Sequence, residues 1–482
     1  MKHHPVGLRY LALGTLLSLA SSAIPAAPDL ANRGLAHDIF KELIEINTTE
    51  SVGSTTKAAQ AMRKRLLDAG FPPLDITLAG ANDRNGNLVV RYRGRPGGHK
   101  RPLLIICHLD VVEARREDWT TDPFQLVEQD GYFFGRGTGD MKDNDAIVVA
   151  NFIRLRHEGF VPDRDLILAL TTGEEGGSYN GVDWLLKTHR EWIDAEYALN
   201  PDGGGLTTDR GKPLYMAIEA SEKLYADYQV LATGPGGHSS LPTAENPIYH
   251  VANALALLEK SPFPVELNPI SRAFFAQAAE TRPPDVAADM KAILTTPPDP
   301  AAIARLSRDP TYNATLRTTC VATMISGGHA VNALPQRGEA NVNCRILPGH
   351  SQEEIRLELV RLFNDPNLTI RYRSDANILF DHGSDRAAMK PPPLRADVMA
   401  ALHKATAALW PGTPIIPAME TGASDSIYTM IADIPSYGIS GVGIDQDDDR
   451  SHGKDERIRI SAFDDGLEFY YQLLKGLTGG RR

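Results

Sequence analysis

The chain has 482 residues, 42% of them hydrophobic, which is enough apolar material to bury a substantial core in more than one domain. Its formal net charge of -11, with the acidic run Asp447-Asp448-Asp449, leaves nucleic acid without an electrostatic footprint. No basic amphipathic stretch marks a membrane-surface binder.

At the N-terminus, Lys2 and Arg9 precede the apolar "YLALGTLLSLA", and the small residues of "SSAIPAAP" follow. This three-part pattern predicts a cleaved secretory signal over residues 1–27, cut between Ala23 and Ala27, and a mature chain in the periplasm. The apolar stretch falls short of the ~20 residues that span a bilayer, so an uncleaved anchor is the lesser alternative. No later stretch is apolar enough to span, and no membrane association is expected after cleavage. Of the three cysteines, Cys107 lies inside the apolar "LLIICH" and reads as a small buried hydrophobe. Cys320 and Cys344 can pair, but their spacing leaves the pairing open.

From residue 28 to 219, short apolar runs such as "LLIICHLD", "DLILALTTGEE" and "AEYALNPDGGG" alternate with helical segments such as "AIVVANFIRLRHEG" and "GVDWLLKTHREWI". That alternation predicts an α/β domain with a mostly parallel sheet flanked by helices, which places ligands at the carboxyl ends of its strands. Over residues 220–371 the pattern changes to alternating strands, "EKLYADYQVLATG", "TTCVATMISGG" and "GEANVNCRILPG", with the helical "NPIYHVANALALLEK" and "SQEEIRLELVRLF". This stretch reads as a separate α+β domain, with a Pro-rich helical insertion of its own at about residues 261–316. The α/β pattern returns over residues 372–482, so the second domain is inserted into the first.

Polar residues gather where strands end. "CHLD" closes an apolar run with His108 and Asp110, two positions apart and so on one face, where the carboxylate can fix the tautomer of a ligating imidazole. "GRGTGDMKDND" presents Asp140 before a helix, "TTGEEGG" presents Glu174 and Glu175, "NPDGGG" presents Asp202, and "RSHGKDE" presents His452. Each alone has an ordinary explanation as a turn residue, a dipole-favoured helix start or an exposed side chain. Together His108, Asp140, Glu175, Asp202 and His452 form a mixed imidazole and carboxylate set of the kind that takes divalent ions, zinc above all. Two ions sharing one carboxylate would use all five. Glu174 then has no ligand role and stands ready to take a proton from water.

The ordered series "HLDVV", "GRGTGDMKD", "TTGEEGG", "NPDGG", "GPGGHSS", "GGHAVNALP" and "SHGKDE" resembles the M20 metallopeptidase family over nearly the whole mature chain. The resemblance implies a zinc-exopeptidase-like catalytic domain with an inserted lid or dimerisation domain. It assigns His108 and Asp202 to one Zn2+, Glu175 and His452 to the other, and Asp140 to both. It makes Asp110 the residue that orients His108, and Glu174 the general base and acid. His238 matches a histidine that stabilises the tetrahedral intermediate and in relatives can come from a neighbouring subunit. Asn332 and Arg345 match positions that contact the carboxylate end of the substrate, and "ETGASDS" matches a segment lining the site near Gly422. The family also implies a cis bond between Asp140 and Met141. The 261–316 insertion departs from simpler members and bears on whether a homodimer forms through the lid. The expected function is hydrolysis of an amide bond beside a free carboxylate, in a dipeptide or longer peptide, or in an N-acyl amino acid. A non-catalytic metal-bound solute-binding protein is the distant alternative. A serine hydrolase built on Ser239 or Ser424 lacks the Gly-x-Ser-x-Gly elbow.

Overall fold

The apolar runs Leu103–His108, Leu166–Thr171 and Tyr197–Asn200 are buried along their whole length, as strands covered on both faces must be. They lie side by side and parallel in this computed structural model, with Leu103–His108 in the middle. The structure describes residues 30–479 except 178, 375–376, 386, 388–390 and 392–393. The expected signal segment, residues 1–27, lies outside them.

The three strands are the centre of a ten-stranded sheet. Beyond Leu166–Thr171 come Gly86–Tyr92 and Ile76–Gly80, both joined antiparallel. On the other side Ser436–Gly438 continues the parallel pairing, followed by Lys212–Glu222, Gly205–Asp209 and Gly443–Asp445, while Ile415–Glu420 pairs parallel to Lys212–Glu222. The result is an α/β fold with a largely parallel centre and antiparallel additions. Helices Leu30–Glu45, Lys142–His157, Ala396–Leu409 and Ile460–Thr478 share the main core, where the Phe40 and Phe463 rings stack 4.8 Å apart. Helices Gly181–Thr188 and Arg190–Ile193 bury Val182, Leu185 and Ile193 in a second core with residues of the same strands.

A separate five-stranded antiparallel sheet runs in the order Thr319–Gly327, Arg337–Ile346, Leu224–Thr233, Leu368–Arg373, Leu379–Phe380. Burial alternates along Arg337–Ile346, the mark of a sheet covered on one face. The cover is helices Pro247–Lys260 and Gln352–Phe363, the latter started by a capping box between Ser351 and Glu354. Cys320 and Cys344 face each other across two of these strands and are bonded, while Cys107 is free and buried.

The Pro-rich insertion folds into four helices, Pro269–Ala278, Pro284–Ala292, Pro300–Leu306 and Pro310–Leu316. Each begins with proline, which loses nothing at a helix start, and Asn268, Asp299 and Asp309 cap three of them. They enclose a small core of their own around Phe275, Met290 and Leu316. The insertion is not confined to the second domain: its first helix packs against Ile415–Glu420 and buries Ile270 in the main core. Among the described residues no helix is long and apolar enough to cross a membrane.

Candidate metal centre

Three neighbouring parallel strands deliver three of the donors at their carboxyl ends. His108 is the last residue of its strand, Glu174 and Glu175 follow Leu166–Thr171, and Asp202 follows Tyr197–Asn200. The turn that carries the two glutamates needs Gly173, which has φ +76° and where a Cβ would lie 1.8 Å from the Tyr179 carbonyl oxygen. Asp140 comes from the turn before helix Lys142–His157, with a cis bond to Met141, and His452 from the loop ahead of Arg457–Arg459.

The five predicted ligands converge. His108 Nε2 lies 3.1 Å from Asp140 Oδ1 and 3.7 Å from Asp202 Oδ1. His452 Nε2 lies 3.0 Å from Asp140 Oδ2 and 2.9 Å from Glu175 Oε2. Two donor triads result, His108 with Asp140 and Asp202, and Asp140 with Glu175 and His452, each with its ligand atoms within 4.8 Å of one another. A third grouping joins His108, Glu174 and Glu175. Glu175 Oε1 is buried without a hydrogen-bond partner, an orphaned acceptor inside the cluster. Such a donor set fits divalent cations bound through nitrogen and oxygen.

The electrostatics ask for positive charge. Burial pushes the Glu174 carboxyl well up against the pull of His108, and the charges of Asp202, Asp425 and Glu175 add to the push. Burial likewise raises Glu175. Burial opposes protonation of His108, but hydrogen bonds to Asp140 and Asp202 outweigh it and hold the imidazole well above its ordinary range. Hydrogen bonds to Asp140 and Glu175 lift His452 to about 10. The imidazolium protons thus occupy the electrostatic role that a cation would take, and protons and metal compete for one set of atoms.

Asp110 is placed differently from the sequence expectation. Its strand ends at His108, and it is the Asp110 main-chain carbonyl, not its carboxylate, that meets His108 Nδ1 at 3.0 Å; the nearest carboxylate oxygen is 4.0 Å away. The carboxylate instead accepts the N–H groups of Gly173 and Glu175 at 2.8 and 3.0 Å, tying the glutamate turn to the histidine strand. Two supporting acids were not singled out from the sequence. Asp425 accepts hydrogen bonds from Thr171 and Asn180 beside the glutamate turn. Buried Glu456 pairs with Arg136 and accepts the N–H groups of Gly137, Gly139 and Asp140, holding the turn that presents Asp140. Glu456 lies within the quoted "RSHGKDE", and Asp425 three residues beyond Gly422.

The remaining predicted residues lie outside the cluster. His238 and Asn332 meet at one exposed tip, where His238 pairs in register with Ala333 and the Asn332 carbonyl accepts the Ser239 N–H. His238 Nδ1 is engaged by Ser240, and among the described residues no hydrogen bond or ion pair joins it to the five ligands. Arg345 sits on Arg337–Ile346 with its guanidinium over the Tyr225 ring, 4.8 Å from the centroid, and its Nη1 buried without a partner. No carboxylate pairs with it among the described residues. Gly422 lies in the loop after Ile415–Glu420 and donates its N–H to Glu420.

A family model described as peptidase family M20/M25/M40 matches residues 104–476. The chain is 27% identical over 386 residues to a protein of Homo sapiens named N-fatty-acyl-amino acid synthase/hydrolase PM20D1, covering 78% of this chain and 74% of that one. It is 28% identical over 407 residues to probable carboxypeptidase S-like 2 of Dictyostelium discoideum, covering 81% and 74%. Its fold is similar to that of the dipeptidase Dug1p of Saccharomyces cerevisiae, with TM-score 0.62, 19% identity and 94% and 97% of the two chains covered. It is also similar to the metallo-carboxypeptidase Sso-CP2 of Sulfolobus solfataricus, with TM-score 0.63, 16% identity and 91% and 98% covered.

Glu456 gives this geometry a direct check. Glu456→Gln leaves Arg136 buried without its counter-charge, which should cost about 3 to 5 kcal/mol in urea denaturation. Zinc affinity by isothermal titration should fall about 10- to 100-fold, the usual effect of losing support behind a ligand. Unchanged stability and affinity would show that Glu456 does not hold the Asp140 turn.

Proposed function

We propose, for a chain that belongs to peptidase family M20/M25/M40, that the cluster binds a pair of divalent ions, zinc foremost, and hydrolyses an amide bond beside a free carboxylate. One observation carries this reading: Asp140 turns Oδ1 toward His108 and Oδ2 toward His452, so that a single carboxylate faces both halves of the donor set. His108 and Asp202 would hold one ion, Glu175 and His452 the other, and Asp140 both. Bound there, the ions would supply Lewis-acid polarisation of the scissile carbonyl and a lowered pKa for water.

The chain's own residues supply the proton transfers and the orientation. Glu174 stands beside both triads without being needed in either, and its raised affinity for a proton suits a group that takes one from the attacking water and returns it to the leaving amine. Arg345, with no internal counter-charge among the described residues, would take the substrate's carboxylate in its planar fork. His238 and Asn332 share a tip of the second sheet, and from there His238 would donate to the developing oxyanion once that sheet closes over the site. Gly422 would line the same space. The second reading, an N-acyl-amino-acid amidohydrolase, is favoured by the name of the human relative and uses the same residues. Glu174 beside a full donor set argues against a non-catalytic solute-binding protein.

We also propose export to the periplasm, supported by the N-terminal sequence pattern and by a disulfide suited to an oxidising compartment. A second copy is the proposed partner along Thr319–Gly327, an edge strand that exposes Val321, Met324 and Ile325. Sedimentation should find a dimer that Ile325→Lys converts to monomer; a monomeric wild type would exclude this pairing.

Glu174→Gln should retain two ions per chain and lose about 10²- to 10⁴-fold in turnover. Full activity in that variant would remove Glu174 from the proton transfers. Wild type should prefer a good substrate over its C-terminal amide, and Arg345→Ala should lose about 2 to 5 kcal/mol of that preference, measured as the ratio of kcat/KM values. The same ratio in both enzymes would exclude Arg345 as the reader of the carboxylate.

A further inference from the structure

Arg345 lies on the side of the second sheet that its helices leave open. Side chains alternate along a strand, so Arg345, Asn343 and Asn341 share that side, while Cys344 and Val342 between them are buried in the core under the helices. On the neighbouring strand Leu224–Thr233, Tyr225 is directly opposite Arg345 and Asp227 directly opposite Asn343. Asp227 is therefore the diagonal neighbour of Arg345, at a spacing of about 7 to 8 Å that a long side chain spans. An acid so placed is the natural counter-charge for the guanidinium, yet the two do not pair.

The Asp227 carboxylate is committed elsewhere. Its Oδ2 accepts the Tyr225 hydroxyl at 2.5 Å, and its Oδ1 accepts Asn341 Nδ2 at 2.7 Å and Asn343 Nδ2 at 3.1 Å. Arg373, directly opposite Asp227 on its other flank, donates instead to Asn377 and Glu339. Tyr225 thus serves both charges: its ring lies under the Arg345 guanidinium in a cation–π contact, and its hydroxyl holds the nearest acid. Arg345 Nη1 is left buried without a partner. Burial, and after it the charge of Arg345, pushes Lys223 down to about 7, as expected beside a cation that no acid offsets.

We propose that Tyr225, Asn341 and Asn343 hold Asp227 away from Arg345, and that Tyr225 and Asp227 are thereby positioning residues that keep Arg345 open for the carboxylate of the substrate. This rests on the reading of Arg345 given above. Without the Tyr225 hydroxyl, Asp227 Oδ2 loses its donor, and the guanidinium within reach supplies a charge-assisted replacement. The internal pair then competes with the substrate for the same fork. Loss of the hydroxyl does harm only while the Asp227 charge is present to take Arg345, which separates this role from a contribution to packing.

The test measures kcat and KM for Leu-Leu and N-lauroyl-leucine, each against its C-terminal amide, on the zinc-loaded full chain of wild type, Arg345→Ala, Tyr225→Phe and the double variant Tyr225→Phe with Asp227→Asn. Tyr225→Phe should lower the acid-over-amide ratio of kcat/KM by about 10-fold or more, through KM for the acid, and Asp227→Asn in that background should restore it. A ratio unchanged in Tyr225→Phe, or a loss that Asp227→Asn does not restore, overturns the proposal and leaves the reading of Arg345 standing. The same ratio in wild type and Arg345→Ala overturns that reading and the proposal with it. Crystal structures give a readout that needs no turnover: in Tyr225→Phe an Asp227 oxygen should come to about 3 Å from the Arg345 guanidinium, and in wild type it should not. An Asp227 that keeps its place in Tyr225→Phe overturns the proposal.

Discussion

The repulsion among carboxylates gathered where three strands end governs the centre of this molecule. Asp140, Glu174, Glu175 and Asp202 share a space with two histidines, and burial removes the water that would otherwise screen them. Such a group persists only if its negative charge is offset, by protons on the carboxyls and imidazoles or by metal ions. The mixed nitrogen and oxygen donors, arranged as two triads with Asp140 in both, make divalent ions the better match.

The rest of the fold serves to hold these charges together. The parallel strands fix the direction from which His108, the glutamates and Asp202 arrive. Asp110 ties the glutamate turn to the histidine strand, and Glu456 ties the Asp140 turn to the loop that bears His452. Each tie uses a carboxylate to accept main-chain N–H groups of a loop that carries the cluster. The second sheet has its own core and carries Arg345 on one of its strands.

The convergence of the cluster was legible because its members lie where apolar runs end or Gly-rich turns open, where polar residues stand out against their surroundings. His108, Asp140, Glu175, Asp202 and His452 meet as their residue types implied. Asp110 was identified, but its contact was not, because strand geometry stops at His108 and the next turn sends the carboxylate elsewhere. Glu456 and Asp425 were hidden for another reason. Their partners lie hundreds of residues away in the chain, Arg136 for one and Asn180 for the other, and no local pattern encodes such contacts. The Pro-rich stretch folds into four helices, yet the burial of Ile270 under Ile415–Glu420 depends on how two distant segments pack.

The sharing of Asp140 between two ions is the central claim, and anomalous diffraction from crystals of the zinc-loaded protein tests it most directly. Two zinc peaks about 3.5 to 4 Å apart are expected, each against one Asp140 oxygen, with His108 and Asp202 on one and Glu175 and His452 on the other. A single peak, or peaks that leave Asp140 out, would contradict it.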